Sequence, residues 1–65
     1  MNLNKLKGRI IEKGLNVEKL AVELGVDRAS LYRKLNGERL TIGEAVKIKE
    51  ALELSDADAI EIFLR

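Results

Sequence analysis

The sequence predicts an all-α domain of five short helices, and three observations lead there. Apolar residues recur at helical spacing nearly everywhere, with no sustained alternation of period two. Proline is absent and helix formers dominate. The chain has 65 residues, enough for one domain, here taken as 1–65. A domain of that size buries only about 60% of the surface its unfolded chain exposes, so its core has to be compact.

The first helix is expected over 3–13. Leu3, Leu6 and Ile10 make its inner stripe with Ile11 beside them, and Gly14 suits the left-handed position after its end. Gly8 lies inside it, at a cost of about 1 kcal/mol against alanine, which either a close helix contact or chance would explain. The second helix is expected over 17–24, capped by Asn16, with Glu18 in its first turn and Val17, Leu20, Ala21 and Leu24 facing inward. Gly25 breaks it and Val26 is expected to re-enter the core.

The third helix is expected over 28–35, capped by Asp27 and closed by Asn36-Gly37. Leu31 and Leu35 are one turn apart and face inward, which leaves Ala29 and Arg33 on the opposite side, flanked by Ser30 and Tyr32. Thr41-Ile42-Gly43-Glu44 fits a capping box, so a fourth helix is expected over 42–53 with Ile42, Ala45, Val46, Ile48 and Leu52 as its apolar contacts. Ser55-Asp56-Ala57-Asp58 opens a fifth helix over 56–64, whose core face is expected to be Ile60, Phe63 and Leu64. Ile62 points about 100° from Phe63 and does not fit that face.

The composition narrows the function. Apolar residues make up 46% and charged residues 35%, a globular balance and not a disordered one. No apolar run is long enough to cross a bilayer, and no signal-peptide pattern is present. Cysteine and histidine are both absent, which removes disulfides, thiolate metal sites and the usual general base. Ser30 and Ser55 have no base at a recognisable spacing, and Asp56, Asp58 and Glu61 read as acids at a helix start. No enzyme, cofactor, metal or small-molecule ligand is expected. The net charge of +1 hides an asymmetry: residues 1–39 hold nine Lys and Arg against five acids, and residues 40–65 hold three against six. One end of the domain is thereby suited to a polyanion.

Two short helices joined by a tight turn with glycine read as a helix-turn-helix over 17–37. Ala21 is small where the two helices cross, Gly25 permits the turn and Leu31 packs from the second helix. In this geometry the first helix lies across the DNA backbone and the second enters the major groove. Arginine pairs with guanine O6 and N7, and a small apolar side chain can touch a thymine methyl. The outward set Arg28, Ala29, Tyr32 and Arg33 has that chemistry. Phosphate contacts are expected from Asn16, Lys19, Asn36, Gly37 and Arg39, where the two asparagines can cap as well as bind.

The stretch NVEKLAVELGVDRASLYRKLNG resembles the helix-turn-helix of phage Cro and lambda-type repressors, the XRE family. The similarity runs on through LTIGEAVKIKEALELSDADAIEIFL and covers almost the whole chain, with Ala21, Gly25 and Asn36-Gly37 at the family spacing. It implies a compact five-helix lambda-repressor-like domain that acts as a sequence-specific regulator of transcription, in the manner of a Cro-like repressor. It implies base-reading positions at Arg28, Ala29 and Arg33, with Tyr32 beside them. Two positions depart from the family pattern. Val17 stands where relatives often carry a DNA-contacting glutamine, and Lys34 stands where many have an apolar residue. The implied partner is a two-fold symmetric double-stranded operator, bound in the cytoplasm of a bacterium or from a phage genome. A weak homodimer formed on DNA would use the fourth and fifth helices, with Ile62 as a dimer contact. An antitoxin-like or other protein-binding helical module remains open as an alternative. So does an engineered variant of the scaffold, with which the lack of Pro, Cys, His, Trp and Gln is compatible.

Overall fold

In the computed structural model, every helix begins at a side chain that caps it. The structure describes residues 1–37 and 39–64; Glu38 and Arg65, which enter the charge balance above, lie outside the described residues. Asn2 opens α1 (Leu3–Glu12), its Oδ1 accepting from the Lys5 N–H at 3.1 Å. Asn16 opens α2 (Val17–Leu24) through the Lys19 N–H at 2.8 Å, and Asp27 opens α3 (Arg28–Asn36) through the Ser30 N–H at 3.1 Å. At α4 (Ile42–Leu52) the Thr41 hydroxyl accepts from the Glu44 N–H, and the Glu44 carboxylate accepts from the Thr41 N–H at 2.9 Å, a reciprocal capping box. Ser55 opens α5 (Asp56–Phe63) through the Asp58 N–H at 3.1 Å. The expected helices and the observed ones differ by a residue at some ends.

Three helix ends, those of α1, α2 and α4, turn on residues with positive φ. Gly14 at 72° and Gly25 at 69° each begin a paired closure, in which Gly25 N–H donates to Val22 and Val26 N–H reaches back to Ala21 at 3.0 Å. The same closure ends α4, but there Glu53 takes the left-handed conformation with φ 52°.

Pairs one turn apart build the core: Leu6 and Ile10 from α1, Leu31 and Leu35 from α3, Ile48 and Leu52 from α4. Leu20 and Ala21 of α2, Leu54 and Ile62 complete it, and no polar or charged residue is buried among the described residues. The Cα radius of gyration is 10.5 Å, close to the roughly 11 Å expected of a compact chain of this length. Charges stitch α1 to α5. Lys5 Nζ lies 2.5 Å from Glu61 Oε2 and 3.4 Å from Asp58 Oδ1, and Arg9 Nε donates to Asp58 Oδ2 at 3.2 Å. Arg9 first, then Lys5, holds the Asp58 carboxyl below the usual carboxylate range. The Asn2 N–H donates to the Ile62 carbonyl at 2.7 Å and joins the start of the chain to α5.

Several side chains point elsewhere than the sequence predicts. Ile62 is fully buried, so it is part of the core and not a dimer contact on the surface. The face of α5 that carries Asp58 turns toward α1, and Ile62, one turn on, follows it inward. Ile60 and Leu64 fall on the other side and are exposed, Leu64 by 76%, while Phe63 is half-buried. Ile42 (86% exposed) and Val46 likewise face out, because Ile48 and Leu52 supply the inner stripe of α4. Val26 is 38% exposed and does not plug the core. A Cβ added at Gly8 would meet nothing within 4 Å, so no close helix contact explains that glycine.

Candidate nucleic-acid interface

The start of α2 and the outer face of α3 enclose a shallow concavity. It follows from the pattern of α3: Leu31 and Leu35 take the inner side, and Arg28, Ala29, Tyr32 and Arg33 are left exposed. Arg28, Ala29, Tyr32 and Arg33 line the concavity together with Asn16, Val17 and Glu18. The structure thus brings together the four candidate base-reading residues and one of the five candidate phosphate ligands. Tyr32 is 54% exposed, next to Arg33 in the chain and one turn on from Arg28. Arg33 NH2 donates to Ser30 Oγ at 3.4 Å, one turn back.

Asn16 uses its side-chain oxygen to cap α2. A carboxamide that accepts in this way still carries two N–H donors, so capping leaves it able to meet an anion. Lys19, in the first turn of α2, has its backbone N–H taken by that cap and its side chain exposed. Asn36, Gly37 and Arg39 stand apart, at the end of α3 and beyond it, all exposed. The Gly37 N–H donates to the Arg33 carbonyl at 2.8 Å, and the Arg39 N–H to the Lys34 carbonyl at 2.9 Å. A Cβ at Gly37 would lie 3.1 Å from the Arg33 oxygen, a tight approach.

Lys34 leaves the reading face. Its ammonium pairs with the Glu44 carboxylate, which ties α3 to the start of α4, while Leu35 takes the buried position beside it. Lys34 and the Thr41 N–H push the Glu44 carboxyl down to about 2.

One member of the concavity was missed in the sequence. Glu18 Oε2 accepts from Arg28 NH1 at 3.1 Å, across the helix-turn-helix and ten residues away in the chain. The signal was present as opposite charges in the first turns of two helices that must cross.

A second surface lies on α4 and α5. Ile42, Val46, Ile60, Phe63, Leu64 and Met1 border an apolar groove there. The acids of α5 are engaged in ion pairs, Asp56 with Lys49 at 3.1 Å and Asp58 with Lys5 and Arg9. Among the described residues no group of three or more acids could hold a metal ion, and no helix is long and apolar enough to cross a membrane.

Residues 5–63 match the family model described as Cro/C1-type HTH DNA-binding domain. No curated protein and no solved structure matches the chain.

Proposed function

The chain belongs to the Cro/C1-type helix-turn-helix DNA-binding family, and on that premise we propose that it is a Cro-like repressor that reads a two-fold operator with α3 in the major groove. One observation carries this reading: Arg28, Ala29, Tyr32 and Arg33 are gathered on the outward side of α3, where it meets the start of α2. A helix presented this way leads into the groove with its N-terminal residues. Arg28 is the guanine reader, through O6 and N7, and Ala29 meets a thymine methyl. Tyr32 and Arg33 extend the footprint along the same face. Asn16, Lys19, Asn36, Gly37 and Arg39 hold phosphates on either side and set the register of the helix without reading sequence.

One such domain covers only a few base pairs, so two copies act together, about one DNA turn apart. The groove bordered by Ile42, Val46, Ile60 and Leu64 is the pairing surface. Its protruding aliphatic side chains stand beside a recess of the same chemistry, as a self-complementary two-fold contact requires. The contact is weak. A stable interface takes about 800 Å² from each partner, roughly a fifth of this domain's 4329 Å² surface, more than these few side chains provide. Pairing therefore forms on DNA. The protein works in the bacterial cytoplasm, from a bacterial or a phage genome.

Selection from a randomised duplex library tests this function. Enrichment of an inverted repeat with half-sites about 10 base pairs apart is the expected result. Recovery of no common sequence would overturn the reading, in favour of a protein-binding module that uses the α4–α5 groove.

A further inference from the structure

A carboxylate stands in the middle of the surface proposed to meet a polyanion. Glu18 lines the concavity beside Arg28, and both side chains are about two-thirds exposed. Close to phosphates, a bare carboxylate there would weaken binding to every sequence. The helix N-terminus favours an acid in the first turn of α2, but that accounts for its residue type and not for its reach across to α3.

The chemistry of the pair suggests a use. Arginine binds phosphates and guanine edges with the same donors, and phosphates surround any groove. An arginine paired with a carboxylate has almost no net charge. The carboxylate repels a phosphate, but it leaves the remaining N–H groups free for O6 and N7 of guanine, which are neutral acceptors. Glu18 engages NH1 of Arg28 at 3.1 Å. The Nε and NH2 edge of the guanidinium stays available, and that edge also forms a two-pronged donor.

We propose that Glu18 is a positioning residue for base readout: by holding Arg28 NH1 it turns the guanidinium from a phosphate ligand into a guanine reader. The inference rests on the assignment of Arg28 to a guanine. In water the pair is weak, because exposed ion pairs are worth little. In the groove, with water displaced, the same contact strengthens and fixes the edge that Arg28 presents.

The test is titration of the purified full chain, its Glu18→Ala, Glu18→Gln and Arg28→Ala variants, against selected and random duplexes over a salt series. Base preference at the guanine position is read by selection with each. Glu18→Ala should bind random duplex at least as tightly as the parent, with a salt slope steeper by up to about 0.9, the value for one added phosphate contact. Its preference for guanine should fall about fivefold, the lower end of what a bidentate pair discriminates. Glu18→Gln keeps an acceptor oxygen for NH1 and should retain more of the preference than Glu18→Ala. A purely structural acid would move neither the preference nor its order among the variants. If Glu18→Ala keeps the parental preference while Arg28→Ala loses it, the inference fails and the Arg28 assignment survives. If Glu18→Ala gains more on the selected site than on random DNA, the ion pair competes with DNA and the inference also fails. If Arg28→Ala keeps the preference, the Arg28 assignment falls, and the inference with it.

Discussion

Lys34, near the end of α3, closes an ion pair on Glu44, the residue that completes the capping box of α4. One carboxylate thereby fastens the proposed reading helix to the helix behind it and also caps that helix.

This arrangement gives the first prediction, a loss of stability in acid. The Glu44 carboxyl sits at about 2 in the folded chain, against an ordinary value of 4.5. A depressed carboxyl favours folding fully above the unfolded value, and the contribution disappears as pH falls through the folded one. Asp58 and Glu53 are lowered as well, by Arg9 and Lys13 respectively as the largest causes. Denaturant midpoints should therefore fall between pH 4.5 and 2. Lys34→Met should flatten that dependence in part. An equal slope in parent and variant would show that the pair does not couple to folding.

The second prediction concerns Ile62. A side chain with no exposure is truncated at the cost of its transfer energy and of the cavity left behind, about 2–5 kcal/mol for Ile→Ala. Urea titration of Ile62→Ala should show that loss, and Ile62→Glu should not fold. A soluble, fully helical Ile62→Glu protein in circular dichroism would contradict the packing of α5.

A gain in stability is predicted at Gly8. It lies inside α1, it is exposed, and an added Cβ would meet open space. Gly8→Ala should stabilise the domain by about 0.5–1 kcal/mol, the helix-propensity difference. An unchanged or lower midpoint would point to a role for this position that the fold does not reveal.

The phosphate assignments predict effects blind to sequence. Lys19→Ala and Arg39→Ala should weaken binding to all duplexes alike and lower the log–log salt slope by about 0.9 each. Arg28→Ala should instead cost about 1–3 kcal/mol at one base position per half-site. Parental binding of Lys19→Ala or Arg39→Ala on random duplex across the salt series would remove that contact.

Pairing is tested on the outer side of α5. Leu64→Glu should leave the melt unchanged, since Leu64 is exposed, and should abolish cooperative occupation of a full operator with half-site affinity nearly intact. Persistent cooperativity would place the pairing surface elsewhere.

The helices, every cap but Asn2 and the helix-turn-helix were legible because each is written in local residues. Asn16, Asp27, Thr41 and Ser55 cap where their residue types and spacing say they should, and Gly14 and Gly25 turn where the pattern asks. The rotation of α5 was not legible from hydrophobicity, because each of its sides carries an isoleucine: Ile60 with Leu64 on one, Ile62 one turn from Asp58 on the other. What decides is charge across the interface. Lys5 and Arg9 of α1 draw Asp58 and Glu61 toward them, and Ile62 goes inward with that side. The same ambiguity hid the exposure of Ile42 and Val46 on α4, where Ile48 and Leu52 fill the core instead. In the candidate site, the outward residues of α3 were readable from periodicity alone. The Glu18–Arg28 contact was not, since it depends on how two helices cross.

The hydrogen bond from the Asn2 N–H to the Ile62 carbonyl makes neighbours of two residues sixty positions apart. In topological terms the five helices form a closed ring, and where the ring is cut is a matter of convenience. A few flexible residues joining 64 to 1 would span that junction. New ends could then open at the exposed turn of Lys13 and Gly14, where the cut breaks the turn's own hydrogen bonds and loosens the Lys13–Glu53 ion pair. The resulting circular permutant would run α2, α3, α4, α5, α1, with the helix-turn-helix leading the chain. It should fold to the same core, because every pair that packs there would still be covalently within reach.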